Sequence, residues 1–493
     1  MNRLAWPLAL SLLCLSGCAS LPVREPASTV PETAADRRWQ TPSAVKPSTQ
    51  GPSAVDWWQL FGDDTLGELI AKGLAANQDV AIASARLRQA GAAVRSTRSG
   101  RRPQLDFAVN ARRAEVSSQG AGAASQLNGA GLIDDVNEFY DLGANLSWEV
   151  DLFGRLGAQI SAAESNLAAS AADRRGVELT VTAAIASTYL QLRALQTQLE
   201  VERANVRISE EQYSLTRDLA ASGLSAELDA LRAQGQLESS RARLPALEAE
   251  VAGQRFALSA LIGKTPGALE ESLAATAEGQ PTPPALLQVG VRSDLLRRRP
   301  DVTAAGWRLQ AATSSLEASA KIRFPQLILT GAGGTDAGSF LDMLEASSVT
   351  WLLGAAVNLP LYRGGAIRAE VDNATSEAQI ARLTWDRTAL IALQEAETAL
   401  AAFAGARAER DRLKLATQAT AEAAQIATRL YETGLGAYLA VLDAQREDRN
   451  AALALVAAKN RMNQRAVDLY RALGGGWETP QTPAPVDVVA SAQ

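Results

Sequence analysis

The sequence predicts a mainly α protein with a membrane β part, built from two copies of one structural unit within each chain. Three observations carry this prediction. The stretch Asp79–Leu105 (DVAIASARLRQAGAAVRSTRSGRRPQL) returns without a gap as Asp301–Leu327 (DVTAAGWRLQAATSSLEASAKIRFPQL). Segments of alternating polarity follow each copy. Long helical tracts free of proline, Arg155–Ala221 and Gly365–Thr433, follow those segments in turn.

The repeated stretch is a helical run stopped by Pro103 in one copy and Pro325 in the other. Proline cannot continue the helical ladder and biases the residue before it toward extended geometry, so each proline marks a helix-to-strand junction. Duplication on this scale asks what else is duplicated.

The strands come next, at about 104–115, 139–152, 325–334 and 349–361. In Tyr140–Leu152 one face carries Tyr140, Leu142, Ala144, Leu146, Trp148, Val150 and Leu152, against Asp141, Gly143, Asn145, Ser147, Glu149 and Asp151 on the other. Val349, Trp351, Leu353, Ala355, Val357, Leu359 and Leu361 share a face in the second half. Alternation over about ten residues suits a membrane β-barrel, and equally a solvent-facing sheet over a soluble core. The absence of disulfides and of an obvious hydrophobic core elsewhere favours the barrel. Four strands cannot close a barrel, and an open edge does not persist in lipid, so several chains must share one. Tyr140, Trp148 and Trp351 read as aromatic girdle residues at the membrane interfaces.

Each long tract reaches about 100 Å as a continuous helix. In the first, Ile185, Leu192, Leu199, Val206 and Tyr213 recur every seventh position, a coiled-coil seam. Each tract ends at a glycine turn, with tips at 222–226 and 433–437, and returns as a helix over Ser225–Ile262 (Pro245 a kink site) or Ala437–Leu473. Ser222-Gly223-Leu224-Ser225 matches Thr433-Gly434-Leu435-Gly436 in register. The organisation is a leader (1–17), a Pro/Ser-rich tether (18–55), a first repeat (56–262), a linker (263–299), a second repeat (300–473) and a tail (474–493).

At the N-terminus, Arg3, the apolar run Leu4–Leu13 and Leu15-Ser16-Gly17-Cys18 resemble a bacterial lipoprotein signal with acylation at Cys18; an ordinary secretory peptide with an incidental cysteine has the same outline. The chain has no histidine, and both cysteines, Cys14 and Cys18, lie in this leader region. No catalytic, cofactor or metal constellation follows, and the only expected covalent group is the lipid on Cys18. A formal charge of −6 without a basic block argues against nucleic acid as a partner.

Several motifs together resemble the TolC-type outer-membrane efflux proteins, in their lipoprotein (OprM/NodT-like) branch. They are Asp56-Trp57-Trp58 with Phe61-Gly62-Asp63, Asn77 with Asp79, and Ser293-Asp294-Leu295-Leu296-Arg297-Arg298-Arg299-Pro300-Asp301. Phe324-Pro325, Leu359-Pro360-Leu361-Tyr362-Arg363-Gly364-Gly365, and Tyr431 with Gly434 and Leu442-Asp443-Ala444-Gln445 complete the set. Gly306 departs from the pattern, which commonly has a glutamate there. A helical glycine costs about 1 kcal/mol relative to alanine.

The resemblance covers almost the whole mature chain. It implies a homotrimer in which long helices form an α-barrel across the periplasm, joined to a twelve-stranded outer-membrane β-barrel. It also implies work with a periplasmic adaptor and an RND-type inner-membrane pump, exporting small molecules. A type I-like protein-secretion duct uses the same architecture, and a non-pore, lipid-anchored coiled-coil scaffold is the reading from another class. By motif match the glycine turns are adaptor-docking tips (Gly223, Leu224, Ser225, Gly434, Leu435, Gly436). Asp229 and Asp443 then ring the pore aperture, with Tyr431 and Arg429 or Arg232 holding it. Without the resemblance, both aspartates read as surface carboxylates near a helix start, and both glycines as left-handed turn residues.

Overall fold

The computed structural model describes residues 45–47, 56–115, 117, 122–131, 136–270, 273, 279–283, 287–289 and 298–475. The leader, Cys18 and the tail beyond 475 lie outside the described residues, as does Ser293–Arg297 of the arginine motif. In order, the elements are β1 (Val45–Pro47), a 3-10 turn (Trp57–Phe61), α1 (Asp64–Ala76), α2 (Gln78–Ser99), β2 (Gln104–Glu115), α3 (Ala123–Gly129) and β3 (Val136–Val150). Then come α4 (Arg155–Ala221), α5 (Glu227–Arg241), α6 (Leu244–Leu261), β4 (Leu287–Val289), α7 (Pro300–Lys321), β5 (Gln326–Ala337), β6 (Val349–Asn358), α8 (Ala366–Glu432) and α9 (Tyr438–Ala472). The described chain divides into a sheet-bearing unit, Ala92–Ser165 with Arg308–Arg382, and a helical unit made of the rest.

In the sheet-bearing unit, β2, β3, β5 and β6 form one antiparallel sheet in that order. Its register gathers most of the large apolar residues of the four strands on one face, with Phe139, Ile328 and Leu352 as exceptions on the other. Leu105, Leu146, Gly331 and Leu353 line up across the sheet, as do Phe107, Ala144, Gly333 and Trp351, then Val109, Leu142, Thr335 and Val349. The reverse face carries rows such as Gln104, Ser147, Thr330 and Gly354. Side-chain alternation has a period of two, so a one-residue slip between any pair would break both faces. Gly334 is required where β3 and β5 approach: a Cβ there would lie 2.1 Å from the Leu142 carbonyl oxygen.

The strand bounds differ from the sequence expectation at their outer ends. β3 begins at Val136, because β2 continues to Glu115 and supplies partners through the Glu115–Val136 pair. β6 stops at Asn358, ahead of Pro360, which has no N–H to give a ladder. Trp148 and Tyr140 lie on the same face of β3, separated by about 27 Å along the strand at the usual rise. Trp351 pairs with Gly333 of β5 and lies on the same face of the sheet as Trp148 and Tyr140.

At the junctions the two halves behave alike. α2 ends at Ser99 and α7 at Lys321, each several residues before its proline, and β2 and β5 begin one residue after it. Asp151 fastens the next helix: its carboxylate accepts from Leu156 N (3.0 Å) and Gly157 N (2.7 Å) and lies 3.6 Å from Arg101 Nε. The Trp148 indole donates to the Arg101 carbonyl at 3.0 Å. Phe153 stacks on Phe324, centroids 5.0 Å apart.

The helical unit has a substantial hydrophobic core, contrary to the expectation that none exists outside the strands. Trp57, Leu66, Ile70, Ile185, Tyr189, Leu192, Leu258, Phe403 and Tyr470 pack within it. Its glue is apolar burial, worth roughly 1.5–3 kcal/mol for each large side chain. The heptad residues Ile185, Leu192, Leu199 and Val206 are buried, and Tyr213 is half-buried farther along the same helix. Sequence patterning understated this core because alanine, not leucine, fills most of the helix faces between these positions.

Trp57 lies flat on Tyr470 at 5.1 Å. The Tyr189 hydroxyl donates to Asp63 Oδ2 (2.7 Å) and accepts from Arg193 Nε (2.8 Å), so its polar groups are satisfied inside. Asn77 caps α2 through Asp79 N (2.8 Å) and reaches the Leu261 carbonyl with its amide. Arg299 of the arginine motif is buried. Burial opposes its charge, but Asp301 and Glu395, each 2.7 Å from Nη2, outweigh this and raise its pKa above the ordinary value. Gly306 faces the Trp385 indole, whose Nε1 would lie 3.5 Å from a Cβ there, an ordinary van der Waals contact. β1 pairs with β4 in parallel, and Asn463 binds the Pro281 carbonyl, so the linker is tied down rather than free.

The return from the first tip is interrupted just before Pro245, with Ala242 and Arg243 still right-handed between two helices. α5 ends at Arg241 and α6 begins at Leu244, with Pro245 in its first turn, where a missing N–H costs no helical bond. The second return, α9, is continuous.

The sheet register generates a test. Leu146 stands in the middle of the apolar face, so Leu146→Lys should cost about 2–4 kcal/mol in a bilayer. The expected result is loss of the protein from the outer-membrane fraction; unaltered membrane assembly would show that this face meets water.

Candidate pore aperture and docking tips

Both glycine turns are the same capping motif. At the end of α4, Leu224 N donates to the Leu219 carbonyl (2.8 Å) and Gly223 N to that of Ala220 (3.0 Å). At the end of α8, Leu435 N donates to Leu430 O (2.9 Å) and Gly434 N to Tyr431 O (2.9 Å). Gly223 and Gly434 take φ values of 70° and 77°, the left-handed region this Schellman geometry needs. The leucine after each glycine commonly folds back on its own helix in such a cap. Here Leu224 is 76% exposed and Leu435 79%, so each turn presents one apolar side chain to its surroundings.

The third turn position differs between the halves. A Cβ on Gly436 would lie 3.2 Å from Leu430 and Tyr431 backbone atoms. Ser225 occupies the matching place in the first turn, its hydroxyl buried without a hydrogen-bond partner.

The candidate aperture residues are only partly brought together. Asp229, in the first turn of α5, is 3.7 Å from Arg232 on the same helix. Asp443 pairs with Arg446, one turn along α9, at 3.1 Å. Pairs of this exposed kind are worth about 0.3–0.5 kcal/mol, weak enough to yield to a competing charge. Tyr431 stands against Tyr438, ring centroids 5.4 Å apart. Arg429 lines a groove of about 570 Å³ with Tyr431, Tyr438 and Asp448.

Tyr438 is the residue that sequence reasoning passed over. It is 5% exposed and forms the small core of the tip with Ala233 and Val441, flanked by Tyr213 and Leu442. The available signal was an aromatic at Tyr438 where the first repeat has Glu227. Burial, with Tyr431 and the Asp229 carboxylate nearby, pushes the Tyr438 hydroxyl up to about 12 from its ordinary 10.0. Burial and then Asp229 raise Tyr431 as well. Among the described residues no helix is long and apolar enough to cross a membrane, and no group of His, Cys, Asp or Glu could hold a metal ion.

A profile of the outer membrane efflux protein family matches residues 69–264 and 291–475, most of both repeats. The chain belongs to that family. Among curated relatives, the pyoverdine export outer membrane protein OpmQ of Pseudomonas putida is 30% identical over 96% of this chain and 97% of its own length. The toluene efflux pump outer membrane protein TtgC of the same species is 27% identical over 97% and 96%. Among solved structures, the outer-membrane channel OprN superposes with a TM-score of 0.80 at 29% identity, covering 90% of this chain and 96% of that one. VceC of Vibrio cholerae gives 0.74 at 27% identity, covering 88% and 100%. This outer membrane efflux protein is therefore of the same mostly helical, four-stranded fold as the TolC-like channels.

The raised Tyr438 pKa has a pH consequence. The folded tip holds a proton that an unfolded tyrosine releases near pH 10, so this residue's contribution is level below pH 10 and is lost as pH rises toward 12. Ultraviolet titration at alkaline pH should show a late phenolate component that is missing in Tyr438→Phe. A difference spectrum lacking that component would refute the buried environment.

Proposed function

We propose that three copies form an outer-membrane duct that exports small organic molecules, working with an inner-membrane pump and a periplasmic adaptor. The observation that carries this is the four-stranded sheet with one apolar face and unpaired outer edges on β2 and β6. In lipid those edges need partners, and three copies supply twelve strands. Helices of 67 residues follow the strands in each repeat, giving the duct a helical wall. Relatives named for pyoverdine export, toluene efflux and antibiotic efflux support small molecules as the cargo class.

In this reading the exposed Leu224 and Leu435 are the adaptor contacts, and Tyr140, Trp148 and Trp351 are aromatic girdle residues at the membrane interfaces. Asp229 and Asp443 gather by three-fold symmetry into an acidic constriction that favours cations. Tyr431, Arg232 and Arg429 are the groups available to hold it. Cys18 carries the lipid anchor. The duct is a passage and not an enzyme: its work is to exclude lipid and select by charge.

Two measurements test this. The double variant Asp229→Ala/Asp443→Ala should raise single-channel conductance in planar bilayers and weaken cation preference; unchanged values would remove both aspartates from the constriction. Mass spectrometry of the mature N-terminus should find an acylated Cys18, whereas a free start at Ala19 or later would refute the anchor.

A further inference from the structure

The two unpaired edges can be matched residue by residue, because the chain already contains the equivalent seam. Within one copy, β3 of the first repeat pairs with β5 of the second. The free edges are β6, the counterpart of β3, and β2, the counterpart of β5. Two equivalences fix the scale. Gln104 and Gln326 follow the repeated prolines, and each opens its hairpin's ladder, facing Ser147 and Asn358 respectively. Gln104 therefore corresponds to Gln326, and Ser147 to Asn358. Ser147 pairs with Thr330, four residues beyond Gln326. By the same step Asn358 should face the residue four beyond Gln104.

We propose that β6 of one copy pairs antiparallel with β2 of the next in this register, Asn358 opposite the partner's Ala108. The inference rests on the shared-barrel reading above. Val357 then faces the partner's Val109, Ala355 the partner's Ala111, and Leu359 the partner's Phe107. On the reverse face of the sheet, Ala356 faces the partner's Asn110.

Two independent features agree with this choice. The first is parity. Val357 lies in the apolar row of β6 through Leu327, and Val109 lies in the apolar row of β2 through Leu142, so the apolar face continues across the seam. Any odd slip would set polar residues against lipid on one side.

The second is level. Within the chain, the row through Gln104 and Ser147 meets β5 at Thr330, so the two junctions are offset by four residues across two strand spacings. If Pro103 and Pro325 stand at one height, that offset is a strand tilt of about 55°, steeper than most barrels and suited to a wide bore. Repeating the same offset at each intermolecular seam keeps all six junctions level. A seam slipped by two residues would change the barrel's shear, and the Pro103 junctions would then stand at a different height from the Pro325 junctions, although three-fold symmetry keeps each set level.

Cysteine pairing in the full-length protein tests the register. In a Cys14→Ser background, Val357→Cys with Val109→Cys should give covalent multimers on oxidation, visible on non-reducing gels. The slipped pairs, Val357→Cys with Phe107→Cys or with Ala111→Cys, should give at least tenfold less, because their Cβ atoms stand about 7 Å apart and a disulfide needs about 4 Å. Asn358→Cys with Ala108→Cys repeats the test on the other face, should either valine variant fail to assemble, and Val357→Cys alone reports background. Strongest cross-linking at a slipped pair would overturn the register while leaving the shared barrel standing. No cross-linking at any pair, from variants that sediment as the parent does, would overturn both.

Discussion

In hydrocarbon, a backbone N–H or C=O without a partner costs several kcal/mol, and this constraint governs the chain more than any side-chain contact. Four strands satisfy one another except along two edges, β2 and β6. The molecule is thus incomplete alone in the one place where water cannot complete it. Internal duplication solves the matching problem economically, since the seam within the chain is a template for the seam between chains. The alternation of apolar and polar residues then decides which parity of pairing is allowed.

The helical unit obeys a different rule. Its long helices are rich in alanine, have little intrinsic amphipathicity, and depend on a few large residues for adhesion. Tyr189, Phe403 and Trp57 are fully buried, and the polar groups of Tyr189, Asp63 and Arg193 are satisfied by one another. Leaving one of these unsatisfied would cost about 1–3 kcal/mol. Close helix approach through alanine and a localised aromatic core together explain how an extended helical wall holds its shape without leucine in every turn.

At the tips the balance shifts from packing to caps and charges. The Schellman turns are closed by backbone hydrogen bonds alone, which leaves Leu224 and Leu435 outside. The acidic groups are held only by neighbours on their own helices. The buried Tyr438 supplies the fixed point around which α5, α8 and α9 pack.

Much was legible in the sequence because it is written in local chemistry. The junction prolines, the glycine turns, the span of α4 and the apolar alternation of the strands each follow from dihedral limits or periodicity over a few residues. What the sequence left hidden depends on distance along the chain. The stacking of Trp57 on Tyr470 and the binding of Arg299 to Glu395 join segments with no local signature. Tyr438 packs against Ala233 from the other repeat, a contact with no local signature. Sequence alone determined which elements form and where they stop, because those are decided by the residues themselves. Only the tertiary structure decided register, core and tip packing, because each is a choice among partners that the local sequence permits equally.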